Sequence, residues 1–326
     1  MLLGFASAED GLIDLGITGD WAQSNTYART GIYSYRVGGG WNFVKSATLS
    51  FPERGEIFFQ FAVRIGAAVD NTGAVFGWRR GGTFLGTIAK DGNNALKVYL
   101  GNKVTLVGSI PVGLPSGGFL LIEGRIVLHD TNGVIQIKDN GALAVDYAGN
   151  TMPGADTVMD NLIMGGHVST LNSYTYYDDI LVCDALGTAF NSWPMGIKCH
   201  KVAAPEANGN YHQWTPSDGE NYQCISETPP SMDNYVEGAA GQKDSYVFGD
   251  APAGLTGIAG VAIRFCGQGN GNIKRLCRYD GVDYLSEAIS VPGSFNKVDD
   301  VMTEKPGGGG WDEATFNACE FGMEHQ

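Results

Sequence analysis

Apolar and polar positions along most of this chain alternate in short runs. A period of two places successive side chains on opposite faces of a strand. The runs Ala47–Phe51, Glu56–Ile65, Ala74–Trp78, Thr83–Ala89, Ala95–Leu100, Phe119–Leu128, Gly133–Lys138, Ala142–Tyr147, Asn161–Gly165 and Tyr174–Cys183 are rich in β-branched and aromatic residues. Each is predicted to be a strand. Between them lie Asn71-Thr72-Gly73, Asp91-Gly92, Asn132-Gly133 and Asn140-Gly141. Such dipeptides reach positive φ at little steric cost and mark hairpins. Arg125–Leu128, Gly133–Lys138 and Ala142–Val145 read as a meander with one dry and one wet face. No helix is predicted before residue 186.

Asp184–Pro194 (DALGTAFNSWP) reads as a boundary. After it, Ala203–Pro216 and Thr228–Gly241 are long, polar and rich in Pro and Gly. Strands are predicted at Ile197–Val202, Ser245–Phe248, Ile258–Cys266, Ile273–Tyr279, Asp283–Ile289 and Ala318–Met323. Asp312 is placed to cap a helical turn through Phe316. Strands divided by turns every 8–12 residues or so mark a sandwich or jelly roll. The expected architecture is therefore all-β: a jelly-roll sandwich at 1–186, a linker at 187–194, and a second, smaller β-sandwich domain at 195–326.

Composition narrows the function classes. Of 326 residues, 48 are Gly and 17% are charged, while 11% are aromatic. That is too aromatic and too poor in charge for a disordered chain. The net charge of −14 argues against a nucleic-acid partner, which would need a basic stripe. No run of 18 apolar residues occurs, so no membrane insertion is expected. The first Arg is Arg29, and the opening MLLGFASAEDG lacks the basic residues and apolar length of a signal peptide. The six cysteines, Cys183, Cys199, Cys224, Cys266, Cys277 and Cys319, include no C-x-x-C pair. They read as buried reduced thiols, with one bridged pair as the alternative.

Few patterns carry chemistry. The five histidines form neither H-E-x-x-H nor H-x₃-H, and there is no G-x-S-x-G elbow or G-x-x-x-x-G-K-[ST] loop. Gly267-Gln268-Gly269-Asn270-Gly271 reads as a hairpin turn, and His129-Asp130 as a turn in which Asp130 accepts backbone N–H bonds. A retaining glycosidase needs two carboxylates about 5 Å apart. The strand-borne E-x-D-x-x-E of jelly-roll glucanases is absent, which argues against a glycoside hydrolase. Asp178-Asp179 is the weak metal candidate, since paired carboxylates at a strand edge can bind Ca²⁺. Tyr174, Tyr176, Tyr177, Tyr211 and Trp214 are candidates for stacking on sugars, with core packing as the competing role.

Three stretches of the first half support a resemblance. They are Met1-Leu2-Leu3-Gly4-Phe5, Ile122–Gly133 and Tyr177–Asp184. In the second half come Trp214-Thr215-Pro216-Ser217 and Asn221-Tyr222-Gln223-Cys224-Ile225-Ser226-Glu227-Thr228-Pro229-Pro230. Tyr235-Val236, Lys243-Asp244-Ser245-Tyr246, Trp311–Ala314 and Glu320–Glu324 follow in order. Together they resemble a group of bacteriophage virion proteins, tail or minor structural, that begin with a concanavalin-A-like (laminin-G-like) jelly roll. The resemblance implies a tail-associated fibre or tip subunit, or a capsid-decorating accessory, that takes part in host attachment.

It implies structure or adhesion rather than catalysis, with no catalytic residue and no cofactor. The implied partners are other virion proteins, further copies of the same chain in a homo-oligomer, and a host-surface glycan. The implied location is the virion, after synthesis and assembly in the host bacterial cytoplasm. Alternatives are a glycan-binding adhesin module and, against the missing carboxylate pair, a glycoside hydrolase.

Overall fold

The computed structural model describes residues 1–326 apart from 7, 9–16, 20, 39–43, 67–73, 91–94, 168–173, 228, 229, 231, 253, 254 and 256. The expected turns at Asn71-Thr72-Gly73 and Asp91-Gly92 lie outside the described residues. The chain is almost entirely antiparallel β structure, and it begins with a jelly-roll sandwich. The described residues up to His200 form one compact unit, and those of Lys201–Gln326 form a second.

Unit 1 has two sheets. The first runs β13 (Ala142–Gly149), β12 (Gly133–Asp139), β11 (Leu120–Val127), β6 (Glu56–Ile65), β15 (Thr175–Cys183), β4 (Ser34–Val37) and β3 (Trp21–Ser24). Strand β1 (Leu2–Ala6) joins β15 beyond β4. The second sheet runs β10 (Thr105–Gly113), β9 (Ala95–Leu100), β8 (Thr83–Lys90), β7 (Ala74–Arg80), β14 (Met159–His167), β5 (Val44–Arg54) and β2 (Ile17–Gly19).

The core lies between the two sheets. Phe61 and Phe76 stack across it with ring centroids 4.3 Å apart, and Phe59 meets Phe76 at 4.7 Å. Gly124 sits opposite Phe59 on the neighbouring strand, and a Cβ there would come within 2.1 Å of the ring. Only glycine leaves room for that phenyl group.

The meander is as the alternation predicts. β11, β12 and β13 pair in sequence, and Ile135 and Ile137 point inward, fully buried. Asn140 and Gly141, both at positive φ, turn the chain. At the preceding turn, however, His129 is the acceptor: its Nδ1 takes the N–H groups of Thr131 and Asn132.

Two strands escape the hydrophobic pattern for the same reason. β10 contains Pro111, and β16 (Pro205–His212) is polar and glycine-broken, yet both are edge strands. An edge tolerates proline and polar side chains because one row of backbone groups needs no partner strand.

In unit 2 one sheet runs β16, β19 (Lys243–Phe248), β25 (Glu320–His325), β21 (Asn272–Tyr279) and β22 (Val282–Leu285), with β23 (Ile289–Ser290) also on β21. A two-stranded ribbon, β20 (Val261–Gly267) with β24 (Asn296–Met302), packs on it, and β17 (Thr215–Pro216) and β18 (Val236–Glu237) form a separate short pair. Val261 and Met302 of the ribbon meet Cys277 and Phe321 of the sheet, with Trp311 beside them. Because β20 and β21 belong to different layers, Gly267–Gly271 connects ribbon to sheet and is not a hairpin turn. Asp312 caps the helix Glu313–Asn317 as expected, accepting from the Thr315 N–H.

None of the six cysteines is in a disulfide. Cys183, Cys224, Cys277 and Cys319 are buried, but Cys199 is exposed. No helix among the described residues is long and apolar enough to cross a membrane.

Residues 187–200 lie in unit 1. Phe190, Trp193 and Met195 pack with Phe58, Leu181 and Cys183 on the face of the first sheet away from the core. Ile197–Val202, expected as a strand, joins no sheet; within unit 1, the backbone of Lys198 and His200 bonds to side chains of the first sheet instead.

Candidate functional site

Strand β15 positions most of the residues that the sequence singles out. Alternation sends neighbouring side chains to opposite faces, and here it separates two adjacent tyrosines. Tyr177 belongs to the core. Its hydroxyl donates to the Val75 carbonyl and accepts the Gly165 N–H at 2.9 Å. Burial pushes its pKa far above the usual phenol value. Tyr177 is therefore unable to stack on a ligand.

Tyr176 points the other way. Its backbone partners are Arg36 on β4 and Arg64 on β6, so the three side chains form one row across three strands. The Tyr27 ring meets Tyr176 edge-on at 5.0 Å, and Tyr174 lies 6.5 Å from it. The Arg64 guanidinium sits 3.6 Å from the Tyr27 ring centroid, and that of Arg36 sits 4.4 Å from the Tyr174 centroid. Tyr176 itself is buried, while Tyr27, Tyr174 and both arginines are half-buried. Burial raises the Tyr176 pKa, with Arg36 and Arg64 pulling the other way. A half-covered group of rings and cations on a sheet face can hold a polar ligand that has both flat and charged surfaces.

Asp178 and Asp179 follow at a bulge, where Asp179 has a φ of 50° and the register with β6 shifts. All four carboxylate oxygens accept protein donors. Asp178 Oδ2 takes the N–H groups of Arg29 and Thr30, and Oδ1 takes that of Asp179. Asp179 Oδ2 pairs with Arg29, and Oδ1 accepts from Thr30 Oγ1 and the His200 N–H. Burial and then the neighbouring Asp179 charge push the Asp178 pKa up to about 7, against those three N–H donors. The pair organises the chain around it. No cluster of three His, Cys, Asp or Glu side chains able to hold a metal ion occurs among the described residues.

In unit 2 Tyr211 also lies between cations, with Lys243 Nζ 5.1 Å and Arg278 Cζ 5.5 Å from its ring centroid. This cluster contains its own counter-ion. Asp283 accepts from Tyr211 Oη at 2.9 Å, Lys243 Nζ at 2.8 Å and Arg278 at 2.7 Å. Burial would raise its pKa, but those three bonds outweigh it and hold the carboxyl below its usual range. Trp214 is not part of the cluster. Its indole donates to the Gln242 carbonyl at 3.3 Å, and its ring packs where a Cβ on Gly238 would be.

The structure thus brings Tyr174 and Tyr176 together and leaves Tyr177, Tyr211 and Trp214 in structural roles. It adds Arg36, Arg64 and Tyr27, which sequence reasoning missed. The available signal was a single arginine in each of two apolar strands, Ser34–Val37 and Glu56–Ile65. Alternation places each on the outer face, but it cannot show that β15 lies between them.

No protein-family model matches the sequence, and no curated protein is significantly similar to it. Among solved structures, the chain is similar to an endo-β-1,4-glucuronan lyase from the fungus Trichoderma reesei (14% identity, 53% of this chain and 93% of that one, TM-score 0.43). It is also similar to an alginate lyase (18%, 56% and 92%, TM-score 0.40). A third is a carbohydrate esterase from the Shiga toxin-encoding bacteriophage phi24B (13%, 56% and 97%, TM-score 0.42).

At these identities the likeness assigns no residue roles. The expectation that the chain is not an enzyme is withdrawn, since these three similar structures are of carbohydrate-active enzymes, and they assign no activity to this chain. Neither elimination nor ester cleavage is glycoside hydrolysis. The missing E-x-D-x-x-E pattern argues only against the glycoside hydrolysis that uses it.

Proposed function

We propose that this chain is a bacteriophage virion protein, a tail-associated fibre or tip subunit or a capsid-decorating accessory, whose first unit contacts saccharide at the host surface. The observation that carries the saccharide contact is the Tyr27, Tyr174 and Tyr176 group with Arg36 and Arg64 on the outer face of one sheet. The virion assignment is supported by the ordered motifs from Met1–Phe5 to Glu320–Glu324, which span both units. Its partners are other virion proteins and further copies of this chain. Several copies on one particle turn a weak contact into firm attachment through effective concentration. The protein is made and assembled in the host bacterial cytoplasm and acts on the released particle.

Two measurements test this reading. Immunogold labelling of purified particles should decorate the tail or the head, and particles without label overturn the virion assignment. The full chain, immobilised at high density and probed with host-surface polysaccharides, should retain at least one of them. Retention of none overturns the saccharide contact.

A further inference from the structure

We infer that the Arg36–Tyr176–Arg64 row binds an anionic saccharide, with uronate carboxylates received by the two guanidinium groups. This rests on the saccharide reading above and adds the charge of the ligand.

The argument begins from the fate of the chain's ten arginines, all of them among the described residues. Arg29, Arg54, Arg80, Arg125, Arg264, Arg275 and Arg278 each hold a carboxylate. Arg79 donates to Asn161 and Thr48. Arg36 and Arg64 have no ion pair among the described residues and lie on tyrosine rings instead. With 35 Asp and Glu against 21 Lys and Arg, acidic partners are plentiful in this chain. Two adjacent cations left without one therefore form an uncompensated positive site in an acidic protein.

The geometry shows which part of each cation remains available. A guanidinium stacked on a ring uses only its face, while its N–H donors lie in the plane and point outward as a fork. Arg64 Nε is buried and has no acceptor. The terminal nitrogens of Arg64 are the donors left for an incoming anion, and carboxylates fit that edge bidentately. The stacking also fixes both forks in advance, so little side-chain freedom remains to be lost on binding.

Spacing points to a sugar chain rather than a lone ion. Arg36 and Arg64 flank Tyr176 on successive strands, so their backbones stand two strand spacings apart, roughly 10 Å. A disaccharide spans about the same distance. Two carboxylates on a uronate oligomer can therefore reach the two forks together. The Tyr211 cluster of unit 2 lacks this character because Asp283 and Glu324 already pair its two cations.

The test uses the full chain and three polymers, polygalacturonate, polyglucuronate and alginate, each beside its carboxyl-reduced counterpart. Biolayer interferometry should show binding to at least one acid form and at least tenfold weaker binding to the same polymer after reduction. The Arg36→Gln/Arg64→Gln double variant should lose binding by a similar factor, with an unchanged circular dichroism spectrum. If that variant does not fold, the acid and reduced polymers on the native chain decide alone. Equal binding of the acid and reduced forms, or full binding by a folded double variant, overturns the charge assignment and leaves the saccharide reading standing. Failure to bind any polymer in either form overturns the anionic-saccharide assignment, and the host-surface polysaccharides then decide the saccharide reading by themselves.

Discussion

The side-chain amide of Gln60 pairs with the backbone of Lys198 as a neighbouring strand would. Gln60 Nε2 donates to the Lys198 carbonyl at 3.0 Å, and the Lys198 N–H donates to Gln60 Oε1 at 2.9 Å. Two further carboxylates extend this substitute ladder. Glu123 Oε1 accepts the N–H groups of Met195 and Gly196, and Asp179 Oδ1 accepts that of His200. Residues 195–200 are thus held on the sheet by side chains standing where strand backbone would otherwise lie.

Replacing Gln60, which is fully buried, by Ala strands the Lys198 N–H and leaves the Lys198 carbonyl only the Arg29 guanidinium at 3.3 Å. Each unpaired buried polar group costs about 1–3 kcal/mol. Gln60→Ala should lower stability in urea by at least that amount and open 186–200 to protease under native conditions. Unchanged stability and cleavage would show that the segment is held by its apolar contacts instead.

The two tyrosines of β15 should respond differently to loss of a hydroxyl. Tyr177→Phe strands the Gly165 N–H and the Val75 carbonyl inside the core, a loss of about 1–3 kcal/mol. Tyr176→Phe removes no such bond and should stay within about 0.5 kcal/mol of the native protein. Equal losses by chemical denaturation would contradict the inward and outward assignment.

Gly322 in β25 should be as sensitive as any core position of unit 2. A Cβ there would lie 1.9 Å from the Asp244 carbonyl oxygen, which is backbone and cannot rotate away. Gly322→Ala should cost about 1–3 kcal/mol through overpacking. Hydrogen exchange should accelerate in β19, β21 and β25 and stay slow in β6 and β11. Loss of protection spread evenly over both units would refute a local effect.

The pH dependence follows from Asp178, whose pKa rises from 3.8 to about 7 on folding, through burial and then the Asp179 charge. The native state holds this proton more tightly, so from this group stability falls as pH rises from about 4 to about 7. Asp178→Asn removes that titration. The stability difference between native protein and variant should therefore change across this window, and parallel curves would exclude a raised pKa. Asp184 acts in the opposite sense. Burial raises its pKa, but the Met1 amino group and Arg54 outweigh that and lower it. Its contribution is present above 3.8 and fades in more acidic solution.

Much of the fold was legible from residue order. The bounds of Glu56–Ile65 and Ala95–Leu100 match the observed strands, and the Asn140-Gly141 turn and the Asp312 cap appear as read. These features rest on local chemistry: a period of two, a residue that tolerates positive φ, a carboxylate before a helix. The misreadings share a cause too. The apolar Ile197 made a strand of a segment whose hydrogen bonds end on side chains, and Pro111 hid a strand that the sheet keeps at its edge.

Residue order alone settled strands such as Glu56–Ile65 and Ala95–Leu100 and the face each of their side chains takes, because both depend on neighbours one or two positions away. Which strands lie side by side emerged only in the folded sheets. That choice set Arg36 and Arg64 on either side of Tyr176 while giving Tyr211 and its cations their own carboxylate. Strand pairing is settled by burial and register over the whole sheet, and alternation within one strand carries no information about its neighbour.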